Sequence, residues 1–405
     1  MPSEVTEEAN PSSDLVGSAR PRAVAWWLPA ITLAMLAATH FLVDIIASTT
    51  NPLWPSLETR YALPAGGLLW VYVLWSVTNS FGQLFFGILS DRTSCRWLIW
   101  CGPAVAIICI SSLGLAPSSW TLALLLFTGG LGIAAFHPEA AATAGSLLPQ
   151  HRSRAMAIFA LCGYLGQSAG PYYSGTLVEG LGFHGLLWGM VWALPILCIL
   201  AIGMRGPALH PAATTKQRTS SKTISLSLIV LLLSVGTFRI LPALGVPLAL
   251  AYLLENEASR IVIGAVQSAF MGGIGIGAML CAFVLRAQWE RRALWVFPLL
   301  AAPILACLGI ATNWTLVALV ATCGLLLGIT MPVYISYGQQ LLPHSQRIAS
   351  SMTMGVSWGV ASGLVGAAMW FFQTYWNSLD SIFLFFAFAS AISGLLSHLL
   401  PHRPS

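Results

Sequence analysis

Residues 205–223 read RGPALHPAATTKQRTSSKT, the longest polar stretch between apolar runs in a chain of 405 residues. Its Pro, Ser, Thr and Lys residues make a flexible linker with no apolar face to bury. On both sides of it, apolar runs recur at the length of a membrane-spanning helix, about 20 residues. Six precede it, over 26–49, 66–89, 97–116, 120–145, 154–178 and 185–204. Six follow it, over 224–253, 261–286, 292–311, 314–341, 348–373 and 380–400. The expected architecture is an all-α membrane protein of twelve transmembrane helices in two six-helix bundles, 23–204 and 224–400. The 205–223 segment joins them, and polar tails occupy 1–22 and 401–405. Two such halves are the pattern of a transporter built from repeats, with its site near the bilayer midplane between them.

Composition agrees with this reading. Hydrophobic residues make up 57% of the chain and charged residues 8%, against about 25% charged in soluble domains. Such a chain cannot cover a water-facing surface, which excludes a soluble enzyme, a disordered chain and a nucleic-acid binder. The net charge of +5 is spread along the loops and forms no phosphate-binding patch. With residue 1 inside the cell, fifteen of the eighteen Lys and Arg fall in cytoplasmic segments, Arg60 and Arg260 fall outside, and Arg239 lies within a span. This bias supports twelve spans with both termini cytoplasmic. The acidic, Pro- and Ser-bearing start lacks the basic and apolar regions of a signal peptide and reads as a disordered cytoplasmic tail. The eight cysteines form no C-x-x-C pair and read as small core residues. A GxxxxGK[ST] loop is absent, so ATP is not the direct energy source.

Within the spans, residue types repeat every three helices. Glycines gather in the second (Gly82, Gly87), fifth (Gly163, Gly166, Gly170, Gly175), eighth (Gly264, Gly272, Gly273, Gly275, Gly277) and eleventh (Gly355, Gly359, Gly363, Gly366). Several are spaced G-x-x-x-G, which bares backbone on one face for close helix approach and suggests a sliding seam between the halves. Polar and ionisable residues favour the other phase: His40 and Asp44, His137 and Glu139, Arg239, then Tyr334, Tyr337, Gln339 and Gln340. A charge facing lipid costs at least a few kcal/mol. Asp44, Glu139 and Arg239 are therefore expected to face one another or a common water-filled cavity.

His40 and Asp44, four apart, share a helical face, and an imidazole beside a carboxylate exchanges protons near neutral pH. His40, Asp44, His137 and Glu139 are the candidate proton-coupling residues. His137 and Glu139 are two apart and point to different faces, so they make no metal site. A guanidinium holds a phosphonate or carboxylate bidentately, which makes Arg239 the candidate substrate contact, with Tyr334, Tyr337, Gln339 and Gln340 beside it.

Four motifs resemble those of known carriers. GILSDRTSCR, residues 87–96, resembles the cytoplasmic signature of the major facilitator superfamily. Gly87, Asp91, Arg92 and Arg96 match it and imply a conformational latch in which the carboxylate caps a helix start. Ser94 and Cys95 depart from the usual Gly and basic residue. GYLGQSAGPYYSG, residues 163–175, resembles the antiporter motif of superfamily drug exporters through Gly166, Gly170, Pro171 and Gly175. THFLVDIIASTTNPLWPSL (39–57) and GLGIAAFHPEAAATAG (130–145) resemble the first and fourth helices of the fosmidomycin-resistance proteins, exporters of a phosphonate antibiotic. The resemblance is good over roughly residues 30–180 and holds only at superfamily level beyond.

It implies proton-coupled export of a small anionic or amphipathic compound by alternating access, with no enzymatic step, no cofactor and no metal. The implied partners are substrate, protons and lipid, with no nucleic acid. The implied setting is a monomer in a bacterial inner membrane. Two alternatives remain open on the residues alone: a proton-coupled importer of a small organic anion, and a non-transporting membrane sensor or scaffold.

Overall fold

The computed structural model describes residues 27–63, 67–93, 95–204, 225–341, 351–376 and 378–401. The expected tail 1–22, the linker 205–223 and residues 402–405 lie outside them. Among the described residues there is no β-strand.

The chain opens with α1 (Leu28–Ser48), which passes through a 3₁₀ turn (Asn51–Leu53) into α2 (Trp54–Arg60). Pro52 and Pro55 lack the N–H that would continue the α ladder, and the hydroxyls of Ser48 and Thr49 bond back to Asp44 O and Ile46 O, both at 2.7 Å. The rest of the first half is α3 (Gly67–Arg92), α4 (Leu98–Ser111), α5 (Ser119–Leu147), α6 (Arg152–Leu181) and α7 (Trp188–Gly203). The second half is α8 (Leu226–Leu254), α9 (Arg260–Val284), α10 (Glu290–Cys307), α11 (Asn313–Leu341), α12 (Ser357–Phe371) and α13 (Ile382–His398).

Nine helices among the described residues are long and apolar enough to cross a membrane, against the twelve expected. The other three expected spans fall on α3, α6 and α10. Polar residues dilute these helices: Thr78, Asn79, Ser80 and Gln83 in α3, Gln167, Ser168, Ser174 and Thr176 in α6, and the Glu290-Arg291-Arg292 start of α10.

Packing repeats between the halves. In the first, α1 lies on α6, α3 on α5, and α4 on α5 and α7. In the second, the counterparts recur as α8 on α12, α9 on α11, and α10 on α11 and α13. The halves meet through α6 on α9 and α3 on α12, two contacts that the same repeat exchanges. Glycine makes these approaches close. A Cβ at Gly166 would overlap Phe41 O of α1, and one at Gly175 would overlap Arg260 O of α9. The seam expected from the glycines is thus only partly between halves, since Gly273 and Gly277 bring α9 against Ala321 and Leu325 of α11. The cysteines likewise divide: Cys95, Cys109 and Cys323 are buried, whereas Cys101, Cys198 and Cys307 are exposed.

Candidate functional site

Asp44 sits on α1 facing α5 and α6, and is 3% exposed. His40 Nε2 lies 3.4 Å from its Oδ2, and His137 Nε2, from α5, lies 3.3 Å from its Oδ1. Gln167 of α6 donates to Oδ2 at 2.9 Å. The one-turn spacing of His40 and Asp44 places both on the same face. His137 joins them because α5 and α6 both pack against α1. Gly163 leaves the room: a Cβ there would run into the His40 imidazole and come to 2.9 Å from Asp44 Oδ2.

Hydrogen bonds settle how the two imidazoles are oriented. His40 Nδ1–H donates to Phe159 O and His137 Nδ1–H to Ile133 O, each at 2.8 Å. A carbonyl only accepts, so each Nδ1 carries its proton and each Nε2 is turned toward the carboxylate. The His40 ring also stacks on Phe159 at 4.1 Å between centroids and meets the His137 ring edge-on at 5.1 Å.

With no further proton, two lone pairs and a carboxylate confront one another in a buried space. One added proton converts a repulsive contact into a charge-assisted hydrogen bond and leaves the group neutral, which burial favours. The three donor atoms lie within 4.8 Å of one another. In number and type they also match a two-histidine, one-carboxylate metal set, a grouping that the His137–Glu139 spacing did not suggest.

The other expected site residues lie elsewhere. Glu139 is half-buried and makes no hydrogen bond or ion pair with the Asp44 group. Arg239 is not among the carboxylates. It is fully buried in the second half, where Nη2 donates to Leu294 O at 2.9 Å and Ser397 Oγ at 2.8 Å. Its guanidinium lies 5.4 Å over the Tyr334 ring, and its Nε and Nη1 have no hydrogen-bond partner among the described residues.

Tyr334 and Tyr337 are also fully buried. Their hydroxyls donate to Leu232 O, at 2.6 Å, and to Pro401 O, so they tie α11 to α8 and to the end of the chain. Gln339 is half-buried, and Gln340 is exposed and donates to Ser336 Oγ at 3.1 Å. In the expected latch, the side chains of Asp91 and Arg92 lie outside the described residues, while Gly87 and Arg96 are described and Arg96 has a partner. Of the antiporter-type motif, Gly166 and Gly170 face α1, whereas Pro171 and Gly175 face α9.

Two features escaped the sequence reading. Gln167 stands inside the quoted motif, and the available signal was a long amide side chain among its small Gly, Ser and Ala residues. The second is a set of bonds between the halves at the end that holds Arg60 and Arg260. Arg260 pairs with Glu179 at 3.6 Å and donates to Ser56 Oγ at 3.0 Å. Tyr252 donates to Glu58 at 2.8 Å, and Gln267 donates to Asn51 O at 3.2 Å. These partners come from loops and helix ends far apart in the chain.

Known proteins resemble this chain in sequence and in fold. The chain is 24% identical over 378 residues to the fosmidomycin resistance protein of Escherichia coli (strain K12), covering 91% of this chain and 92% of that one. It is also 24% identical over 380 residues to the MFS-type transporter YfnC of Bacillus subtilis (strain 168), with 91% and 92% covered. In fold it is similar to a bacterial homolog of the human lysosomal transporter Spinster, solved in an inward-facing and occupied conformation. That match has a TM-score of 0.64 at 13% identity and covers 93% of this chain and 97% of the other. The model of the Major Facilitator Superfamily matches residues 36–254. Since that match takes in more than half of the sequence and the helices pack as two repeated halves, the chain belongs to the Major Facilitator Superfamily.

Proposed function

We propose that this protein is a proton-driven exporter of a small anionic or amphipathic compound, working by alternating access. The observation that carries this reading is the buried Asp44 carboxylate facing two imidazoles whose Nδ1 protons are held by backbone carbonyls. Such a group changes its proton occupancy by one without unfolding its surroundings. Its neighbour α6 touches Asp44 through Gln167 and touches the other half through Pro171 and Gly175. Loading and release of a proton therefore act on the helix that sets the contact between halves. The bonds among Arg260, Glu179, Ser56, Tyr252 and Glu58 form the closed outer gate, and the substrate path then opens to the cytoplasm. Both termini lie on that cytoplasmic side of a bacterial inner membrane.

Arg239 is the receptor for the anionic group of the substrate. Its Nε and Nη1 are two buried donors with no hydrogen-bond partner among the described residues, and an anionic group would meet them there. The relative named for fosmidomycin resistance supports export as the direction and makes fosmidomycin the first compound to test. The experiment is a resistance and uptake screen in a host deleted for its own exporters, with Asp44→Asn run in parallel. The account expects raised resistance to one or more anionic compounds, lost in Asp44→Asn at equal membrane abundance. Equal protection by the variant contradicts it.

A further inference from the structure

A second feature lies on the outside of the second half, at the end of the bundle where α9 stops and α10 begins. There a groove of about 360 Å³ is floored by apolar side chains, among them Leu280, Val284, Phe297 and Ile329 of α9, α10 and α11. At its mouth stand Arg286 and the indole of Trp289. Arg292, one turn further on, places its guanidinium 4.7 Å over that indole. Arg286, Trp289 and Arg292 are exposed; none of the described lining residues is acidic, and one carboxylate, that of the half-buried Glu290, lies near Cys281 on the groove wall. The neighbouring Arg291 is already engaged, donating to His398 O and Leu400 O at the end of α13.

The geometry points to a binding site for one anionic phospholipid. An apolar trough along the helices takes an acyl chain, and a cationic mouth with an interfacial tryptophan takes the phosphodiester. Charge decides the headgroup. Two guanidinia at the membrane surface attract an anionic headgroup by about 1 kcal/mol each, and a zwitterionic lipid brings its own ammonium among them. The site thus prefers a lipid of net negative charge, such as phosphatidylglycerol. The groove walls include α9, the helix that also packs on α6 across the two halves. A lipid seated there braces α9 against α10 and α11.

Native mass spectrometry of the full chain, purified in a neutral detergent and titrated with phosphatidylglycerol or phosphatidylcholine, tests this directly. One bound phosphatidylglycerol is expected, retained over phosphatidylcholine by about thirtyfold, the effect of two basic residues near an anionic headgroup. Arg286→Ala with Arg292→Ala is expected to abolish the preference while the protein stays monodisperse with an unchanged melting temperature. Arg286→Lys with Arg292→Lys is expected to keep most of it. Filling the trough by Ile329→Trp is expected to lower retention of both lipids. Equal retention of the two lipids by the unaltered protein overturns the proposal. So does a preference that survives in the double alanine variant, or displacement of the lipid by inorganic phosphate alone at equal concentration.

Discussion

Asp44 is held by two imidazoles and one amide, with no guanidinium among its bonds. That choice of partners makes the site reversible, since an arginine would hold the carboxylate charged at every working pH. Gln167 fixes one carboxylate oxygen and leaves the other to His137. A hydrogen bond to a charged group contributes about 1.5–3 kcal/mol, so Gln167→Leu is expected to slow proton-driven export about tenfold or more. Substrate exchange without a gradient should change far less, and paired efflux and counterflow assays check the difference. Arg239 makes a separate prediction. A buried ion replaced by an apolar side chain of similar size is often neutral or stabilising, so Arg239→Met should keep or raise the melting temperature. It should at the same time remove binding of an anionic substrate, measured by calorimetry. The His40–Asp44 pair was legible in the sequence from its one-turn spacing. The approach of His137 was not, because it depends on how α5 and α6 dock on α1. Arg239 was expected to face the carboxylates or to share a water-filled cavity with them, and among the described residues it makes no direct pair with Asp44 or Glu139. A buried cation needs partners, but a carbonyl, a hydroxyl and an aromatic ring supply them here.

At the scale of the element, the proposed coupling runs through α6, which touches Asp44 by Gln167 and α9 by Pro171 and Gly175. Its glycines were legible as a close-packing pattern, yet their spacing does not reveal that Gly166 meets α1 and Gly175 meets α9. The outer bonds give α6 a second hold on α9 through Glu179 and Arg260. A half-exposed ion pair contributes about 0–1 kcal/mol, so Glu179→Gln alone should shift the gate little. Arg260→Ala also loses the Ser56 bond, and should raise the outer-open population about fivefold, read as the distance between spin labels on the outer loops.

Glu255, just beyond α8, adds a pH dependence. Burial pushes its carboxyl above the usual carboxylate range, although Arg260 opposes the shift. Opening the gate exposes the group and returns it to its ordinary value, so closure takes up a proton. Acidification through the raised range therefore favours the closed gate, and the preference fades as pH climbs above it. The same label distances, followed against outside pH, should show this trend and lose it in Glu255→Gln.

Over the whole molecule, two halves pack the same way and meet through contacts that their repeat exchanges. Two halves were the expectation from the polar linker between two sets of apolar runs, whereas the helices that exchange contacts were not legible, because they depend on how the helices dock. Twelve spans were the expectation, and nine of the described helices are long and apolar enough to cross a membrane, while α3, α6 and α10 carry polar residues along their length. Orientation makes its own prediction. A fluorescent reporter fused after residue 405 or inserted within 205–223 should glow in the cytoplasm, whereas a periplasm-active phosphatase at the same sites should stay silent. The central claim is that the proton held by Asp44 and its two histidines drives the carrier, and substrate-induced proton movement in reconstituted vesicles tests it most directly. The account predicts that adding substrate releases protons from the loaded vesicles with the unaltered protein. Asp44→Asn should give no proton signal while still exchanging labelled for unlabelled substrate. A full proton signal in that variant would contradict the account.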